Sequence, residues 1–152
     1  MLARIKAMLA GDKASQAGLN RFEQRQLAAA ALLAEAAYLD EGISAIEEGR
    51  MVDLLQRFFE LSAKDARALV DEAMSLQGEA VELSRFTQAV KDAFDAEERV
   101  GIIEMLWEVV YADGALHAYE DNLMRRIGGL LYVTDRDRGL AKQRVLARLG
   151  QA

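Results

Sequence analysis

The sequence predicts an all-α fold, a helical bundle of about seven or eight helices, on three observations. The 152 residues contain no proline, and alanine fills about a sixth of them, so helix breakers are absent and the strongest helix former is abundant. Apolar residues recur at spacings of three and four through most of the chain. No stretch alternates apolar and polar residues long enough to make a strand, and no Asn-Gly hairpin signal occurs.

Taken in order, residues 1–19 read as an amphipathic, flexible lead-in, with Arg4 and Lys6 among apolar residues, followed by Gly11, Asp12, Ser15 and Gly18. A single domain then spans residues 20–152. Asn20 is placed to cap a helix through Leu27, Leu33 and Ala37 to about Leu39. The next helix starts near Ser44 and carries Met51, Leu54 and Phe58 on its apolar stripe. Ser62 with Asp65 opens a third, with Ala66, Leu69, Val70 and Ala73, fading near Gly78. A shorter helix from Ser84 to Phe94 spaces Phe86, Val90 and Phe94 along one face. Asp95 caps a long helix to Ala112. A turn at Gly114 leads into a helix with Leu116, Leu123, Ile127 and Leu130, and Thr134 or Asp135 caps the last one, ending near Gly150.

Composition narrows the function. With 19 Lys and Arg against 25 Asp and Glu, the net charge of −6 argues against nucleic-acid binding, which depends on cations neutralising phosphates. The basic cluster from Arg136 to Arg148, broken by Asp135 and Asp137, reads as a solvated helix face. The longest apolar run, Leu27 to Ala34, is too short to span a bilayer, and the first residues lack a signal-peptide core, so a cytoplasmic protein without membrane insertion is expected. No cysteine excludes thiolate metal sites and cysteine nucleophiles, and one histidine, His117, excludes His-rich centres. Gly-x-Ser-x-Gly, Walker-type and dinucleotide fingerprints are missing. No catalytic activity is therefore expected, a metal-dependent hydrolase being the alternative.

Sliding the chain on itself by 73 residues exposes an internal repeat, with units at about 27–77 and 100–150. Glu35 falls on Glu108, Tyr38 on Tyr111, Asp40 on Asp113, Ala45 on Ala118, Glu47 on Glu120 and Met51 on Met124. Apolar positions match in kind, including Leu33 with Leu106 and Phe58 with Leu131. Two copies of a helix–turn–helix unit suggest a pseudo-twofold bundle.

The repeat places acids where apolar residues are expected. The stripe Ile103, Leu106, Val110 continues onto Asp113, and Leu123 and Ile127 extend backward through Leu116 onto Glu120. In the first copy Leu33 and Ala37 lead to Asp40, while Glu47 shares a face with Ile43, Met51, Leu54 and Phe58. Carboxylates facing a core need compensation, and a divalent cation would supply it. On one straight helix the two acids of a pair would stand about 10 Å apart, but a turn between them can fold them together. Oxygen ligands of this kind favour Ca²⁺, Mg²⁺ or Mn²⁺ over Zn²⁺. The run from Asp113 to Glu120 matches only the second half of an EF-hand loop, because Val109 and Tyr111 stand where the first ligands belong. The alternative is that Asp40 and Asp113 act as helix ends or caps and that Glu47 and Glu120 pair with Arg50, Arg125 or Arg126. Glu35 and Glu108 lie some 140° round the helix from each Asp, so they could support the ligands from behind or form salt bridges. Trp107, Tyr38 and Tyr111 read as core aromatics, with either Tyr hydroxyl able to bond an acid.

From about Leu27 to Leu149 the chain resembles the TerB family, the tellurite-resistance-associated helical domains of bacteria, and is most similar to its uncharacterised members. The resemblance is carried by LLAEAAYLDEG (32–42), SRFTQAV (84–90), MLWEVVYADGALHAYED (105–121) and RRIGGLL (125–131). It implies an all-α pseudo-twofold domain whose acids chelate metal, here Asp113 and Glu120 in the second copy and Asp40 and Glu47 in the first. Glu41 stands where the family usually has Gly, and Ser44 where it often has an acid. The resemblance also implies a link to metal, oxyanion or membrane stress, and it transfers no reaction. The expected function is a divalent-metal-binding module with a possible protein partner, homo-oligomerisation staying open; the alternative is a metal-free interaction scaffold.

Overall fold

The computed structural model describes residues 21–41, 44–75, 83–112 and 118–150, with the side chains of 21–22, 39–41 and 118–121 outside the description. These residues form seven helices and no strand: α1 (Arg21–Glu41), α2 (Ala45–Phe59), α3 (Ala63–Met74), α4 (Leu83–Ala93), α5 (Ala96–Val110), α6 (Ala118–Leu130) and α7 (Asp135–Arg148). The helical bundle expected from the sequence is the observed fold.

Polar residues set the helix starts. Ser44, Ser62, Asp95 and Thr134 each accept a hydrogen bond from the backbone N–H three residues on. At Ser44 and Asp95 a glutamate returns the bond to the cap's own N–H, giving capping boxes Ser44–Glu47 and Asp95–Glu98. Two helices end with a left-handed residue other than glycine. Glu60 (φ 54°) closes α2 and Tyr132 (φ 58°) closes the turn after α6. The next residue then bonds five back, Leu61 N–H to Gln56 O and Val133 N–H to Gly128 O, both at 2.9 Å. These two turns have the same build at a spacing of 72, not 73. Phe59 rather than Phe58 is thus placed like Leu131: Phe59 and Leu131 are buried, whereas Phe58 is exposed, against the sequence expectation. The stripe of α2 runs Met51, Leu55, Phe59 and leaves Phe58 at its edge, in edge-on contact with Phe59 and Phe94.

The core is built around α1 and α5. Leu27 to Ala34 is an unbroken buried run, and Ile102, Ile103 and Met105 to Tyr111 are buried in turn. A helix apolar on every side belongs in the middle of a bundle. Accordingly α1 packs against α2, α3, α4 and α5, and α5 also carries α6 and α7. Alanines at 28–31, 34, 36 and 37 give α1 a thin surface that lets its neighbours approach closely. The ion pairs Glu104–Arg144 and Glu108–Arg148 keep one constant offset, so α7 lies along α5 running the same way. No helix among the described residues is long and apolar enough to cross a membrane.

Candidate metal centre

Of the four acids expected to hold a cation, Glu47 is the one whose side chain is described. It sits in the first turn of α2 and is only 7% exposed, beside Met51 and Leu54 on the buried face. Its carboxylate accepts from the Ser44 N–H at 3.1 Å, while Ser44 Oγ accepts from the Glu47 N–H at 3.1 Å. Compensation at this acid therefore includes a helix cap, which the Ser-x-x-Glu spacing signals in the sequence. Asp40 lies in the last turn of α1 and Glu120 in the first turn of α6, with their side chains outside the described residues; Asp113, with Gly114, Leu116 and His117, lies outside them altogether. Among the described residues no three acidic or histidine side chains converge on one cation-sized space.

A carboxylate is a hard oxygen donor, so Glu47 is of the ligand type that a hard cation takes. Asp40 lies in the last turn of α1 and Glu47 in the first turn of α2, with residues 42–44 between the two helices.

The supporting positions divide. Glu108 is buried at 6% exposure and its Oε2 lies 3.6 Å from Arg148 Nη2. Glu35, on α1, is half-buried, and burial pushes its carboxyl above the ordinary 4.5. Tyr111 is buried and stacked on Trp107, ring centroids 5.6 Å apart, and Lys142 stands over the Trp107 ring at 5.0 Å. Tyr38 is a correction: at 44% exposure it is not a core aromatic. The residue four before Tyr111 is Trp107, which gives it a ring to stack on, whereas the residue four before Tyr38 is Ala34.

Sequence reasoning missed the charge pairs between helices. Arg25 on α1 bonds Glu98 at the start of α5 and lies over the Phe94 ring at 4.9 Å. Glu104 accepts from Arg144 Nη2 at 3.2 Å and Arg148 Nη1 at 2.9 Å. Burial raises the Glu104 carboxyl, but the hydrogen bonds from Arg148 and Arg144 outweigh it and hold the group below the ordinary 4.5. The C-terminal basic cluster is thus not simply solvated: two of its arginines clasp α7 to α5. Pairs forty residues apart leave no local spacing signal.

A family model described as "Tellurite resistance protein TerB" matches residues 26–143. No curated protein and no solved structure matches the chain. The chain belongs to the TerB family.

Proposed function

Starting from that membership, we propose that the domain is a divalent-cation-binding module in which Asp40, Glu47, Asp113 and Glu120 ligate Ca²⁺, Mg²⁺ or Mn²⁺ and tie two halves of the bundle together. The observation that carries the reading is Glu47, a carboxylate buried on the apolar face of α2 at the turn that follows Asp40. The two halves are read as copies. Supporting this, the turns that follow α2 and α6 share one build, with left-handed Glu60 and Tyr132 followed by the capping residues Ser62 and Thr134. The module is read as cytoplasmic and non-catalytic, serving a protein partner in a bacterial stress response.

A second reading is a metal-free interaction scaffold. It is favoured by the Ser44–Glu47 capping box, which compensates the buried carboxylate without an ion, and by Tyr38 and Ile46, exposed at 44% and 60% on either side of the same turn.

Trp107 separates the two readings. It is the only tryptophan, and its partner Tyr111 stands two residues before Asp113. Titrating EDTA-stripped protein with each cation should change Trp107 fluorescence saturably for one of them, and Asp113→Asn with Glu120→Gln should abolish the change. Retention of full affinity by that double variant would show the ligand assignment to be wrong. Ester or phosphodiester turnover lost in Glu120→Ala would instead favour a hydrolase.

A further inference from the structure

Helices α5 and α7 run side by side in one register. Glu104 faces Arg144 and Glu108 faces Arg148, both at an offset of 40 residues, so each of these rungs sets an acid against a guanidinium. Two turns earlier the same offset sets Glu97 on α5 against Asp137 on α7. Both line an open groove of about 490 Å³ between the helices, with Glu104 and Arg144 further along it. Neither carboxylate has an ion-pair partner among the described residues. Arg138, next to Asp137, is held by Asp135 at 2.6 Å with its stem against Gly128, and Arg144 is engaged by Glu104. The first rung therefore lacks the cation that the next two carry, and two like charges on facing walls attract one.

Beside this rung the groove turns apolar. Val100 and Gly101 form a strip along it, and Phe58 of α2 packs toward that strip, a ring carbon 3.6 Å from where a Cβ on Gly101 would stand. Phe58 is 36% exposed, and Leu140, level with Val100 at the same offset, is 40% exposed. We propose that the groove docks a basic segment of a partner protein, one arginine completing the first rung between Glu97 and Asp137 while a neighbouring aliphatic side chain lies on Val100 and Gly101. Packed helix axes stand about 8–10 Å apart, so carboxylates from both walls can reach one planar guanidinium, whose N–H donors serve acceptors on two sides. An open groove leaves a free small cation largely in water, whereas a peptide adds apolar contact along Val100. This surface belongs to the partner reading above and uses none of the four proposed cation ligands, so its occupancy is measured in EDTA whatever the outcome at the metal site.

The probe is the peptide acetyl-Leu-Arg-Ala-Leu-amide, titrated into the full chain in EDTA and followed by backbone amide chemical shifts. Saturable shifts centred on Val100, Gly101 and Leu140 are expected. Binding should weaken about tenfold or more when citrulline, the neutral isostere, replaces the peptide's arginine, and by a similar factor in Glu97→Gln with Asp137→Asn. Glu97→Arg supplies the missing cation from within the chain, so it should raise Tm and abolish binding. Amide shifts away from the groove report that each variant is folded. No saturable shift, shifts centred elsewhere, or equal affinity for the citrulline peptide or the double variant overturns the proposal. Saturation by spermidine that depends on Glu97 and Asp137, with none by the peptide, would assign the groove to a free polycation and equally overturn peptide docking.

Discussion

Replacing Glu104 by Gln tests the electrostatic account of how α7 is held. The carboxylate accepts from Arg144 at 3.2 Å and from Arg148 at 2.9 Å. Hydrogen bonds to charged groups contribute about 1.5–3 kcal/mol each where they are well shielded. Here the arginines are 48% and 46% exposed and only the glutamate is largely covered, so solvent screening brings the sum to about 1–2 kcal/mol. For a chain of this size that corresponds to a fall in Tm of roughly 2–8 °C in Glu104→Gln at pH 7. The pH dependence has a definite sign. The folded carboxyl titrates below its ordinary 4.5, so its stabilisation is complete above that value and is lost as pH falls through the folded value. Thermal unfolding of parent and variant, followed by circular dichroism from pH 7 to pH 3, should therefore give two curves that converge at the acid end. A gap that persists undiminished at pH 3, or no gap at pH 7, would refute the reasoning.

Three further outcomes follow from the same structure. Glu35→Gln should have the opposite pH signature: burial raises the folded carboxyl above 4.5, so charging it costs stability as pH rises, and in EDTA the variant should melt higher than the parent at pH 7 and equally at pH 3.5. Glu60→Gly should raise stability by about 0.5–1 kcal/mol in urea titration, because φ 54° is a left-handed conformation that glycine adopts without steric cost. Leu106→Ala, at a fully buried position on α5, should cost about 2–5 kcal/mol by the same titration through lost burial and the cavity left behind.

Helix type and helix starts were legible because their signals are local. Ser44, Ser62, Asp95 and Thr134 announce four starts, and the apolar spacings of α3 and α4 match the buried faces observed. Burial of Glu47 was legible for the same reason, since it shares a periodic stripe with Met51 and Leu54. Its capping role is equally present in the Ser-x-x-Glu spacing. Tyr38 and Phe58 were misplaced because burial depends on which neighbour arrives across space: Trp107 shelters Tyr111, and the α2 stripe reaches Phe59 instead of Phe58. The Arg25–Glu98 and Glu104–Arg144–Arg148 contacts join residues far apart in sequence, so helix packing creates them and local periodicity does not predict them.

The central claim is that a divalent cation ties the two halves through Asp40, Glu47, Asp113 and Glu120. Thermal unfolding of the full chain after EDTA, and then with Ca²⁺, Mg²⁺, Mn²⁺ or Zn²⁺ in turn, tests it most directly. An ion bound only by the folded state adds about 2.7 kcal/mol at a hundred times its Kd, or roughly 5–10 °C at this chain length. The account predicts such a rise with Ca²⁺, Mg²⁺ or Mn²⁺, and none in Asp113→Asn with Glu120→Gln. An unchanged Tm with every ion would contradict it.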